Sequence, residues 1–293
     1  LQSWAERHGE IERLASLQLF FIGGAPRSGT TWLQQILDCH PDISCCGEGL
    51  FQKELAALLE RMMGERSRAL EAKNSRLFGH FGGYPLPTAD DTDFLLRTAI
   101  LLALDRQRSG KRCRAVGEKT PENVFFFPVL KRLFPAAKII CIARDPRDVL
   151  TSAWHFFHVA KPGEDMIAAK TAFIRGALPA LAEGARAMLA LAERSPSDCM
   201  IVTYEDLRGS AAQVVTSLFR FLGVADGPDI VADCLAHTSF TAMAGRRANG
   251  EEHNGSFFRK GVVGDWPSTL TPEMNDMVLR ELGWMFSHFA WRA

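Results

Sequence analysis

Eight consecutive residues carry the clearest chemistry in this 293-residue chain: Gly24-Ala25-Pro26-Arg27-Ser28-Gly29-Thr30-Thr31. Small residues let backbone N–H groups curl around an anion. A helix that starts at the end of such a loop adds free amide donors and the positive end of its dipole. The spacing is that of a phosphate-cradling GxxxxGK[ST] loop, with Thr30 where that loop has lysine. Arg27 supplies positive charge from inside the loop, and the Thr30 and Thr31 hydroxyls add donors. The missing lysine matters. A nucleoside triphosphatase uses it on the β- and γ-phosphates, with magnesium on the Ser/Thr. A ligand with a 5′-diphosphate-like group and no γ-phosphate fits this loop better. The bland alternative is a Gly-rich turn that binds nothing.

Such a loop must be mounted between a strand and a helix, and the flanking residues read that way. Residues 19–22 (LFFI) form a short apolar run that stops at Gly23-Gly24, as a buried strand does before a turn. Residues 31–39 place Trp32, Leu33, Ile36 and Leu37 at helical spacing. Runs at 114–117, 138–143 and 199–203 read as further buried strands. Residues 51–63, 93–108, 147–157, 167–194, 211–222, 228–236 and 272–286 read as helices, with a break near Pro179. Pro146 suits the first turn of the helix that follows it. Residues 74–91 and 246–264 read as loops. Strands alternating with helices imply an α/β fold, a parallel sheet covered on both faces. Residues 1–18 are expected to be a helical extension and 19–293 a single domain.

Lys plus Arg and Asp plus Glu each number 34, so the net charge is zero. That argues against nucleic acid or an anionic membrane as partner, and the basic residues that matter are local. The apolar share of 47% suits a soluble protein with a sizeable core. Seven cysteines (Cys39, Cys45, Cys46, Cys113, Cys141, Cys199 and Cys234) without a CxxC pair argue against a disulfide framework or a zinc site. Reduced cysteines in a cytoplasmic protein are the expectation. No run of about 18 apolar residues is present, so no membrane span is expected. The first 17 residues are charged and lack a signal peptide's apolar run. The chain does not begin with Met, which leaves an upstream segment or neighbouring domain open.

Extended to Trp32, the segment Pro26-Arg27-Ser28-Gly29-Thr30-Thr31-Trp32 resembles the 5′-phosphosulfate loop of sulfotransferases that use 3′-phosphoadenosine 5′-phosphosulfate (PAPS). Cytosolic members usually carry lysine where this chain has Arg27; protein-tyrosine sulfotransferases carry arginine. Three more segments resemble family motifs, in the family's order. Arg144-Asp145-Pro146-Arg147-Asp148 with Ser152 is similar to the 3′-phosphate site at a strand end. His237-Thr238-Ser239-Phe240, with Tyr204-Glu205-Asp206 upstream, resembles the segments around the adenine. Arg259-Lys260-Gly261-Val262-Val263-Gly264-Asp265-Trp266 resembles the loop that closes over the 3′-phosphate. The resemblance spans residues 20–266 and implies a P-loop nucleotide-kinase-like fold, a central parallel sheet with helices on both faces. It implies a donor site of Arg27, Ser28, Gly29, Thr30, Thr31, Trp32, Arg144, Ser152, Tyr204, Thr238, Ser239, Phe240, Arg259, Lys260 and Gly261. Each motif alone has an ordinary reading: a surface arginine paired with Asp148, a helix serine, a solvated Arg-Lys run, core aromatics. Four of them in order are much harder to explain that way. The chemistry agrees. A guanidinium fork, a hydroxyl and an Arg-Lys pair suit a doubly charged phosphate, and Trp32 and Phe240 suit a flat base between apolar faces.

Sulfuryl transfer needs in-line attack, a stabilised leaving phosphate and removal of the acceptor's proton; positioning and electrostatics do most of this. In the resemblance, Arg27 and the loop amides hold the phosphosulfate. Lys119, in Gly117-Glu118-Lys119-Thr120-Pro121, looks like the family's second lysine, which bridges toward the transferred group. Cytosolic members place a histidine two residues later, where this chain has Pro121. Members that act on sugars or protein tyrosines use a glutamate after the first helix. His40-Pro41-Asp42-Ile43-Ser44-Cys45-Cys46-Gly47-Glu48 is close to the tyrosine-sulfotransferase arrangement. Glu48 is therefore the expected general base. Glu48 as a loop carboxylate paired with a cation, and His155, His158 or His253 as bases, remain alternatives.

The implied reaction gives a sulfated hydroxyl, or amine, and releases the desulfated nucleotide (PAP), with no metal. The acceptor is an alcohol, small or carrier-bound. Pro267 and Pro272 interrupt the cytosolic family's dimer motif, so the oligomeric state is open. A P-loop small-molecule kinase, a non-catalytic nucleotide-binding module and an excised domain of a larger synthase are the rival readings. Acceptor pockets are built from variable loops, here 51–63, 76–91, 155–165 and 245–256. Phe78, Phe81 and Tyr84 in the second suggest an apolar pocket, and with it a lipid-like, polyketide or phenolic alcohol over a charged polysaccharide.

Overall fold

Five parallel strands form the frame: β1 (Gln18–Gly24), β2 (Ile43–Cys46), β3 (Ala115–Lys119), β4 (Lys138–Ala143) and β5 (Cys199–Thr203). They lie in the order β2-β3-β1-β4-β5 in a computed structural model that describes residues 3–245, 247–248, 250–251 and 259–292. The chain leaves β1 toward β2 on one side, returns through β3, then crosses to β4 on the other. Order reversal of this kind opens a crevice at the C-terminal end of the central strand, where α/β folds bind ligands. The register places Ile22 opposite both Lys119 and Ile140. The ends of β1, β3 and β4 therefore finish side by side.

Strand sequences are apolar almost throughout because both faces are covered. Phe20, Phe21 and Ile22 are all fully buried. Phe20 and Ile22 pack on one face with α2 (Thr30–Cys39) and with helices that follow β5. Phe21 packs on the other.

The remaining α-helices among the described residues are α1 (Trp4–Ala15), α3 (Ala57–Leu77), α4 (Ala89–Arg108), α5 (Asn123–Leu133), α6 (Pro146–Phe157), α7 (Met166–Arg194), α8 (Tyr204–Gly209), α9 (Ala211–Phe221), α10 (Pro228–His237), α11 (Phe240–Met243) and α12 (Pro272–Phe289), and a π-helical turn, Phe51–Ala56, leads into α3. α4, α5, α7 and α12 bury residues in the second face's core, together with Leu14 of α1. Ser3 caps α1 in a reciprocal capping box with Glu6, and Arg7 reaches Asp105 of α4 at 3.0 Å.

Several elements differ from the sequence reading. β2, α5, α8 and α11 are additional. α3 runs on to Leu77 rather than stopping near 63, and the loop after it is correspondingly shorter. None of its residues is buried, so no apolar stripe marked its length. α7 continues through Pro179 without a break. Pro179 is exposed, so water can serve the carbonyl that the missing N–H leaves unpaired. Among the described residues, no helix is long and apolar enough to cross a membrane.

Candidate functional site

The phosphate loop occupies the turn from β1 into α2. Arg27 and Gly29 have positive φ, 72° and 102°, which folds the loop back on itself. At Gly29 the backbone leaves no alternative: a Cβ would lie 2.7 Å from the Tyr204 ring. Gly29 is the N-cap of α2 and offers no side-chain cap, so the first amides of that helix stay open to a ligand. Thr30 and Thr31 stand there, facing a cleft with about 770 Å³ of empty volume counted out to solvent. Ser28 is fully buried beneath the loop, and its Oγ has no hydrogen-bond partner among the described residues.

Four arginines line this cleft, Arg27, Arg144, Arg208 and Arg259. The Arg27 Nε donates to Ser152 Oγ at 3.2 Å, and its guanidinium lies 4.3 Å from the Phe156 ring centroid. Arg144 stands at the end of β4. It donates to the Arg27 and Val262 carbonyls at 3.2 and 3.0 Å, and its guanidinium lies over the Tyr204 ring at 4.2 Å. Arg259 and Lys260 line the same cleft and are both paired with Asp265. Burial, then the like charges of Arg144 and Arg259, push Arg27 down to about 10. Such crowding of positive charge is relieved by an anion. The buried Asp148 carboxylate accepts from the Gly264 and Trp266 amides at 2.7 and 3.1 Å. It thereby ties the 259–266 segment across the cleft to α6.

The aromatic side of the cleft comes from three elements. Trp32 of α2 packs edge-on against Tyr204 of α8, with centroids 5.7 Å apart. Its indole N–H donates to the Thr238 carbonyl at 2.9 Å, which fixes the ring. Phe240 of α11 borders the same cleft, and Gly261 presses so close to it that no Cβ would fit. The flat walls and the basic end suit a nucleotide with a purine-like base.

At the neighbouring strand end, Lys119 Nζ lies 2.7 Å from Glu48 Oε1. The lysine is 3% exposed and the glutamate 46%. The loop that carries Glu48 is held by Glu118, which is buried and accepts from Gly49 N and from Asn123 Nδ2, both at 2.8 Å, and from the Thr120 hydroxyl. Burial pushes the Glu118 carboxyl up, and these hydrogen bonds pull against that shift.

The sequence-derived set therefore divides. Arg27, Gly29, Thr30, Thr31, Trp32, Arg144, Ser152, Tyr204, Phe240, Arg259, Lys260 and Gly261 all line one cleft. Ser28, Thr238 and Ser239 do not. The Thr238 hydroxyl donates to Cys234 O, and Ser239 caps α11. Arg208, Met243 and Val262 also border the cleft. Arg208 follows Tyr204 by one helical turn, a spacing that was available in the sequence; Met243 had no signal. Among the alternative bases, His155 contacts the Thr269 hydroxyl at 3.2 Å. His158 stacks on Trp154 with centroids 3.7 Å apart and meets Glu164 at 3.0 Å. His253 lies outside the described residues.

Comparison with known proteins gives a consistent picture. Residues 20–228 match the model of the sulfotransferase family. A putative protein-tyrosine sulfotransferase of Caenorhabditis briggsae is 29% identical over 205 residues, 70% of this chain and 65% of that protein. The chain thus spans just under two thirds of that relative's length. Cytosolic sulfotransferase 17 of Arabidopsis thaliana is 25% identical over 276 residues, 87% of this chain and 70% of that one. A mouse sulfotransferase crystallised with PAP shares the fold, with a TM-score of 0.54, 19% identity, and coverage of 94% of this chain and 89% of that one.

Proposed function

This chain belongs to the sulfotransferase family, and from that membership we propose that it transfers a sulfuryl group from PAPS to a hydroxyl of an acceptor molecule and releases PAP. The observation that carries the reading is the convergence of Arg27, Arg144 and Arg259 on a cleft walled by Trp32, Tyr204 and Phe240. A nucleotide with anionic groups at both ends of its ribose matches that distribution. When bound, the donor supplies the sulfuryl group on a 5′-phosphate leaving group.

In this reading Arg144, Ser152, Arg259 and Lys260 hold the 3′-phosphate. The open amides of α2 and the Thr30 and Thr31 hydroxyls hold the 5′ end. Arg27 stabilises the charge left on the 5′-phosphate. Lys119, buried and 2.7 Å from Glu48 Oε1, orients that carboxylate. Glu48 takes the proton from the acceptor's oxygen. The half-exposed position of Glu48 suits that role, because an acceptor must reach it.

The test is calorimetric titration with PAP, beside the Arg144→Ala variant and an ATP control. Binding of PAP that the variant loses, and none of ATP, supports the donor site, and labelled PAPS then serves to screen acceptors. Equal binding of ATP would move the kinase reading forward.

A further inference from the structure

A second cavity lies on the opposite flank of the phosphate loop. It has about 1060 Å³ of empty volume counted out into the open solvent at its mouth. Ala25 and Pro26 form one wall, and Arg144 borders both this cavity and the donor cleft. The rest of its lining is almost wholly apolar and comes from β4, α5, α6, α7 and α12 rather than from surface loops.

The cause is visible on α7. Ala177, Ala180 and Gly184 line it at helical spacing with little or no side chain, where larger residues would fill the space. Protein interiors hold few voids larger than a water molecule. Ordered water needs two to four polar partners, which this lining does not offer. The shape is elongated. Ala177 and Met188 of α7 both line it, and eleven residue steps at about 1.5 Å span roughly 16 Å. The outer end is open: Phe157 is 56% exposed, whereas Gly184, Ala185 and Met188 are buried.

We propose that this cavity holds the straight apolar chain of the acceptor, an alkyl or acyl alcohol whose hydroxyl end stays at the mouth beside Pro26. The proposal rests on the sulfotransferase reading for its reactive end only. The cavity selects for chain length, because each further methylene leaves water for the lining of α7.

The experiment is calorimetric titration with 1-decanol and 1-hexanol, with PAP titrated into the same preparations. The native protein is expected to bind decanol at least tenfold more tightly than hexanol. Gly184→Leu and Ala177→Phe, which fill the deep and outer parts, are expected to bring the two alcohols within threefold while PAP binding stays intact. At Gly184 a Cβ meets Phe125 and Val124 at an ordinary 3.5 Å, and leucine favours the helix. Equal binding of the alcohols by the native protein overturns the proposal. So does an unchanged preference in both PAP-competent variants. A decanol preference without PAP binding sinks the donor reading and the acceptor role with it. Transfer from labelled PAPS to decanol or to 3-hydroxydecanoyl pantetheine then separates a free alcohol from a carrier-bound chain, and product on neither overturns the assignment.

Discussion

Lys119 Nζ and Glu48 Oε1 lie 2.7 Å apart at the end of β3, the lysine buried and the carboxylate half open. The pair explains how one carboxylate can be held in place yet remain reachable. Lys119 fixes one oxygen, and Glu118 fixes the loop through the Gly49 amide. If Glu48 is the base, Glu48→Gln keeps the shape and loses the proton acceptor. Turnover is expected to fall by roughly two to four orders of magnitude, with PAP affinity nearly unchanged. Near-normal turnover in steady-state kinetics would end the assignment.

If the cleft holds the donor as proposed, Arg27 sets the alkaline limb of that binding. Its proton is held less firmly than an ordinary arginine's, down to about 10, because of burial and then Arg144 and Arg259. An anionic nucleotide offsets those charges and raises Arg27 again, so binding above pH 10 takes up a proton. PAP affinity is therefore expected to fall as pH rises through about 10, by up to tenfold per unit. Arg27→Ala should bind more weakly at neutral pH and lose this limb. A limb that persists in the variant assigns the titration elsewhere.

These two sites were legible in the sequence to different degrees. The phosphate loop is eight consecutive residues between a strand and a helix, so its geometry is local. Arg144 and Ser152 sit at a strand end and two turns into the next helix, again a local spacing. The Glu48–Lys119 pair joins residues 71 apart. It is created by β2 lying beside β3, and β2 (Ile-Ser-Cys-Cys) is four residues with no alternation to announce it. The family resemblance supplied both residues there; periodicity did not. The apolar cavity was illegible for a different reason. It is made by small residues on α7, and an Ala-rich stretch reads only as a good helix. Phe78, Phe81 and Tyr84, where the sequence suggests an apolar acceptor pocket, are 39%, 88% and 65% exposed.

Asp148 is the link between α6 and the segment over the cleft. Its carboxylate accepts the Gly264 and Trp266 amides and lies 3.6 Å from Arg144. In Asp148→Asn one oxygen becomes a donor that faces one of those amides, which costs about 1–3 kcal/mol at a buried site. PAP is expected to bind about tenfold more weakly, and the Gly264 and Trp266 amides to exchange hydrogen faster than in the native protein. Unaltered exchange at both amides would contradict the tether, whatever happens to affinity.

Gly29 provides the sharpest test of the loop's geometry. Its φ of 102° is one that residues with a Cβ rarely adopt, and a Cβ would lie 2.7 Å from Tyr204 Cδ2. Gly29→Ala therefore faces two separate costs, backbone strain on the order of 1–3 kcal/mol and a clash with a buried ring. The variant is expected to melt several degrees lower and to lose PAP binding, because the amides at the start of α2 shift with it. Adding Tyr204→Ala removes the clash but leaves the strain. The double variant should therefore recover part of the lost melting temperature relative to what the two single changes sum to, while PAP binding stays weak. Calorimetric melting of the four proteins measures the coupling. Strict additivity would mean that Tyr204 does not press on the loop, and that strain alone demands glycine there.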